Sequence, residues 1–121
     1  MSIKKIVLAE DNTTLSLLLK FRLEKEGYEL FMAVDGKEAL ELIEKESPDL
    51  IITDIMMPFV SGLEVISHVR LKLDLDIPII VFSSAGQEEM VLKAFNLGAN
   101  DFMGKPFSPN ELIIRVKRLL N

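Results

Sequence analysis

Apolar residues fall along the chain in two alternating rhythms: short, nearly unbroken β-branched runs, and longer stretches where they return every three or four positions. Runs of the first kind read as strands covered on both faces, and stretches of the second as amphipathic helices. Strands are expected at residues 4–9, 28–33, 50–53, 79–82 and 101–104, and helices at 13–26, 36–45, 62–73, 88–97 and 109–120. Three helix starts carry capping signals. Ser61 with Glu64 and Ser108 with Glu111 fit the S-x-x-E box, Asp35 with Glu38 is an Asp-headed version, and Pro109 suits the first helical position. In the last helix Leu112, Ile113, Val116, Leu119 and Leu120 form one stripe, with Ile114 nearly opposite. Strict alternation of strand and helix with right-handed crossovers predicts an α/β fold, a doubly wound parallel sheet of five strands in the order 2-1-3-4-5 with five helices.

The chain has 121 residues, which suits one domain over 1–121. Its hydrophobic share of 49% is scattered, as in a soluble globular protein, so no membrane association is expected. The start, Met-Ser-Ile-Lys-Lys, lacks the apolar core of a secretory signal, and there is no cysteine for disulfides or thiolate metal sites. A reducing, cytoplasmic location is the expectation. A net charge of −5 argues against a generic nucleic-acid surface, which would need a surplus of Lys and Arg.

In a doubly wound sheet, function gathers beyond the carboxyl ends of the strands. Strand 1 is followed there by Glu10 and Asp11, strand 3 ends at Asp54, strand 4 leads to Ser83 and Ser84, and strand 5 to Lys105. Three carboxylates in one pocket repel each other unless a cation sits among them. Hard oxygen ligands without Cys or His favour Mg²⁺, which takes one or two carboxylates, several waters and phosphate. Lys105 and the Ser83 hydroxyl are suited to oxygens of an incoming phosphoryl group. Metal, ammonium and hydroxyl together would spread the charge of a phosphoryl-transfer transition state.

Separate motifs add a family resemblance. They are Val7-Leu8-Ala9-Glu10-Asp11, Asp35-Gly36 with Glu38-Ala39-Leu40, and Pro48 through Asp54 to Pro58 and Gly62. Pro78-Ile79-Ile80-Val81-Phe82-Ser83, Leu97-Gly98-Ala99-Asn100-Asp101-Phe102 and Lys105-Pro106-Phe107 complete the set. Over nearly its full length the chain resembles the receiver domain of bacterial two-component response regulators. It is similar to chemotaxis-type single-domain regulators and to the receivers of winged-helix transcription regulators. The resemblance implies a flavodoxin-like three-layer sandwich in which Asp54 is the phosphoacceptor. Asp11, the Met56 carbonyl and, largely through water, Glu10 would join Asp54 around Mg²⁺. Lys105 and Ser83 would contact the phosphoryl oxygens, the Lys105–Pro106 bond would be cis, and Phe102 would be the aromatic switch that moves with Ser83. The implied partner is a sensor histidine kinase or phosphotransfer protein. The implied role is that of a phosphoacceptor with slow self-dephosphorylation, not a turnover enzyme. The surface of helix 4, strand 5 and helix 5 would then change its affinity for partners or a second copy.

Ser83 stands where the family more often has Thr, Ser84 where Ala is commoner, and Phe102 lacks the hydroxyl of Tyr. Each bears on the strength of switching rather than on the chemistry. The basic residues Arg115, Lys117 and Arg118 suit a solvated helix face. A sharper expectation pairs Ile114, Arg115 and Arg118 with Asp101 across a two-fold axis. His68, the only histidine, is assigned no role. A flavin carrier would need a Ser/Thr/Gly-rich loop where the chain has two carboxylates. A phosphohydrolase would need a general acid where the chain has Met56. A receiver used as a constitutive binding module without phosphorylation is the remaining alternative.

Overall fold

A computed structural model describes residues 2–121. Five parallel strands, β1 (Lys5–Ala9), β2 (Glu29–Ala33), β3 (Leu50–Asp54), β4 (Ile79–Ser83) and β5 (Asp101–Gly104), form one sheet ordered β2-β1-β3-β4-β5. The helices are α1 (Thr13–Lys25), α2 (Gly36–Glu46), α3 (Gly62–Ser67), α4 (Glu88–Leu97) and α5 (Pro109–Leu120). The expected architecture and strand order are those observed, with ends displaced by one residue at several elements.

The period-2 alternation of the central strands divides the core into two. Ile6, Leu8, Leu50, Ile52, Ile80 and Phe82 face Leu19 and Leu23 of α1 and Leu112, Ile113 and Val116 of α5. Val7, Ala9, Ile51, Ile79 and Val81 face the other way, onto Ala39 and Ile43 of α2, Val65 and Ile66 of α3, and Ala94 of α4. The stripe expected on α5 is the buried one, and Ile114 is left 68% exposed on its back.

The caps follow the sequence signals with one variation. Asp35 accepts from the Glu38 N–H at 2.8 Å and Ser61 from the Glu64 N–H at 3.2 Å. Ser108 accepts instead from the Asn110 N–H, one residue earlier than the box predicts. The third helix is not one α-helix to residue 73. After Ser67 it widens into a π-helical turn, His68–Lys72, in which the Leu73 N–H donates to the His68 carbonyl. The widened turn carries Arg70, whose guanidinium donates to the carbonyls of Gly98 and Leu75 and to Asn100 Oδ1. It thereby ties the end of α3 to the end of α4. No helix among the described residues is long and apolar enough to cross a membrane.

Candidate functional site

β1 and β3 are neighbours in register, Ala9 opposite Thr53, so the residues leaving their carboxyl ends meet. One oxygen each from Glu10, Asp11 and Asp54 lies within 4.8 Å of the others, close enough to hold one metal ion. Asn12 caps α1 through its side chain, which accepts from the Leu15 N–H at 3.0 Å. Glu10 and Asp11 are therefore not consumed as helix caps. Glu10 is fully buried and Asp54 is 7% exposed, whereas Asp11 faces solvent.

Lys105 arrives from the far side of the sheet. Its ammonium donates to Glu10 Oε1 at 2.6 Å and to Asp54 Oδ2 at 2.8 Å. The segment that delivers it is pinned by the Lys105 N–H to the Ser83 carbonyl at 2.7 Å and by Phe107 against Phe82, ring centroids 4.7 Å apart. The Lys105–Pro106 peptide bond is cis, as expected. The second oxygen of Glu10 accepts from the Asn12 N–H at 3.0 Å.

Two acids share one ammonium, and the charges do not balance. Burial pushes the Asp54 carboxyl up, to about 7; the Glu10 charge adds to the rise and the Lys105 ammonium opposes it. For Glu10, burial also works upward, but the bonds from Lys105 and the Asn12 N–H outweigh it and hold the group below the usual range. Burial draws Lys105 down, and its two carboxylate partners more than restore it. The oxygens left over belong to Asp11 and Asp54, a hard donor set that fits a small divalent cation.

Ser83 is buried at the end of β4 beside this cluster, and Ser84 is exposed, its N–H bonded to Gln87 Oε1 at 2.7 Å. A cavity of about 530 Å³ runs outward from Ser83 and Lys105 between α4 and β5, past Phe95 and Leu92 to Phe102. Phe102 is turned outward, 41% exposed, with its ring edge-on to Phe95 at 5.9 Å. Met56 is half exposed on the loop after β3.

The chain matches the response regulator receiver domain family over residues 6–117. It belongs to that family. The receiver aligns with the receiver domain of a Francisella response regulator at 34% identity, covering 97% of this chain and 96% of that one, with a TM-score of 0.88. A CheY-like receiver from Methanospirillum hungatei is 31% identical, with 98% and 94% of the two chains covered and a TM-score of 0.92. The receiver domain of NtrX from Brucella abortus is 30% identical, with 95% and 97% covered and a TM-score of 0.88. In a longer NtrX chain from the same organism the matched region is 27% of the whole.

Asp101 meets, within one chain, the two arginines expected opposite it across a two-fold axis. Arg115 donates to both Asp101 oxygens, at 2.8 and 2.9 Å, and Arg118 donates to one at 3.0 Å, all within a single chain. Asp101 opens β5 one helical layer from α5, so the arginines reach it without a partner. Two features escaped the sequence reading. The Glu10–Lys105 bond joins residues 95 positions apart. Phe59, 87% exposed in the loop after β3, gave only the faint signal of an aromatic in a reversing segment between Pro58 and Gly62.

Proposed function

We propose that Asp54 accepts a phosphoryl group from a phosphohistidine on a sensor kinase or phosphotransfer protein, and that the receiver relays this as a change in surface. The observation that carries the reading is the meeting of Lys105 with Asp54 Oδ2 at 2.8 Å inside the three-carboxylate donor set. Asp11, Asp54 and the Met56 carbonyl would hold Mg²⁺, with Glu10 acting through water because Lys105 already occupies one of its oxygens. When bound, the ion neutralises the acidic cluster and shields the charge of the transferring group.

The chain's own residues do the rest. An Asp54 oxygen attacks phosphorus in line, the phosphorus–nitrogen bond to imidazole breaks, and the imidazole leaves with the electron pair. Lys105 and the Ser83 hydroxyl hold two of the phosphoryl oxygens. Water later cleaves the acyl phosphate slowly, since Met56 supplies no general acid; this is a switch with self-dephosphorylation rather than a turnover enzyme. The engaged Ser83 draws Phe102 into the cavity it borders, altering the face of α4, β5 and α5. Leu92, Phe95 and Ile114 are exposed there for a partner. A second copy would dock on this same face of α4, β5 and α5, and a monomer in sedimentation with and without a phosphate analogue would remove the dimer.

Intact-mass spectrometry after incubation with phosphoramidate and Mg²⁺ tests the acceptor. One phosphoryl adduct is expected, absent from Asp54→Ala and in the presence of a chelator. Wild type without an adduct would favour a constitutive binding module instead.

A further inference from the structure

The loop after β3 leaves and rejoins the sheet beside Asp54. Its far foot is Gly62, whose N–H donates to the Ile55 carbonyl at 2.7 Å and which lies so close to Asp54 that an added Cβ would meet the Asp54 carbonyl oxygen. At the tip the Val60 N–H donates to the Pro58 carbonyl at 2.9 Å, closing a three-residue γ-turn centred on Phe59 at φ 67°. That form of turn is rare and strained. For a bulky aromatic, positive φ is an outlier, where glycine or asparagine would sit at lower cost. The ring is nevertheless 87% exposed, so burial within the chain offsets none of the strain. Met56, on the same loop, is half exposed.

Three Cα–Cα steps join Phe59 to Gly62, so its Cα lies within about 11 Å of a residue packed against the Asp54 backbone. A protein that docks with an ordinary footprint of about 800 Å² per partner, a disc of about 16 Å radius, covers Phe59 if it is centred on Asp54. A small donor that reaches Asp54 need not touch the ring.

On these grounds, and resting on the reading of Asp54 as acceptor, we propose that Phe59 is a docking anchor for the protein phosphodonor. Its ring inserts into an apolar socket beside the donor's phosphohistidine. The backbone strain keeps the ring presented outward before the encounter, and the burial that offsets it comes only in the complex.

The test runs two donors in parallel: phosphoramidate, and an autophosphorylated histidine kinase core chosen as the fastest donor to wild type among the host's kinases. For Phe59→Asn we expect unchanged labelling by phosphoramidate, transfer from the kinase slowed by about tenfold or more, as when a central aromatic anchor is truncated, and a raised melting temperature. Phe59→Tyr should keep the wild-type rate from the kinase. Kinase transfer to Phe59→Asn at the wild-type rate, or labelling by phosphoramidate that falls in step with it, overturns the anchor. Failure of phosphoramidate to label wild type overturns the acceptor reading itself.

Discussion

The two ends of β5 hold two ion clusters of similar burial and opposite balance. At its start Asp101, 8% exposed, is gripped by Arg115 and Arg118. Just past its end Lys105 alone serves Glu10 and Asp54, 0% and 7% exposed, with Asp11 adjoining. The bonds to Asp101 hold Arg115 firmly in its charged form. Across the strand, burial pushes Asp54 up to about 7. Burial therefore does not distinguish the clusters. Their charge count does: one is a closed structural tie, and the other has surplus negative charge that a proton on Asp54 or an added cation would offset.

Lys105→Ala should sharpen this contrast most. Removing the shared cation leaves two buried acids facing each other and costs on the order of 4 kcal/mol in urea unfolding with chelator present. Mg²⁺ should recover part of that loss. Asp54→Asn should act in the opposite sense. Between the ordinary carboxyl range and about 7, folded Asp54 keeps a proton that the unfolded chain has released, so stability falls as pH rises through that window. The metal-free variant should exceed wild type by on the order of 3 kcal/mol at pH 8, with the gain vanishing towards pH 4. A gain of equal size at both pH values would break the account.

Asp101→Ala should cost about 2 kcal/mol with no dependence on Mg²⁺, because it strands the Phe102 N–H and removes three guanidinium bonds. Sensitivity to Mg²⁺ there would erase the distinction between the two ends. Arg118→Ala should be the smallest change, about 0.5 kcal/mol or less by thermal melting, since its side chain is 66% exposed.

The sheet was legible because each strand run differs in period from the helices beside it, and three caps were written in adjacent residues. The gathering of Glu10, Asp11, Asp54, Ser83 and Lys105 was legible too, since parallel connectivity brings all carboxyl ends to one edge. Three features depend on contacts that local pattern does not encode. The widened turn at His68–Lys72 goes with Arg70 bonding across to Gly98, 28 residues away. Asp101 finds its partners within the chain because α5 packs beside β5, a distance that periodicity does not supply. On α1, Leu17, Leu18 and Phe21 are exposed although the helix is apolar on both sides, so residue type alone could not say which side was buried.

Two glycines carry none of the chemistry and still narrow the paths open to this sequence over time. A Cβ at Gly36 would lie 2.0 Å from the Val60 carbonyl oxygen, and one at Gly62 would lie 2.1 Å from that of Asp54. In both cases the obstacle is backbone, which no rotamer can move aside. A lineage could exchange Lys105's neighbours, recut its partner surface or lose phosphorylation altogether and remain foldable. Neither glycine could change without rebuilding the loops that frame the pocket, so drift should leave these two silent positions standing after more active residues have been replaced.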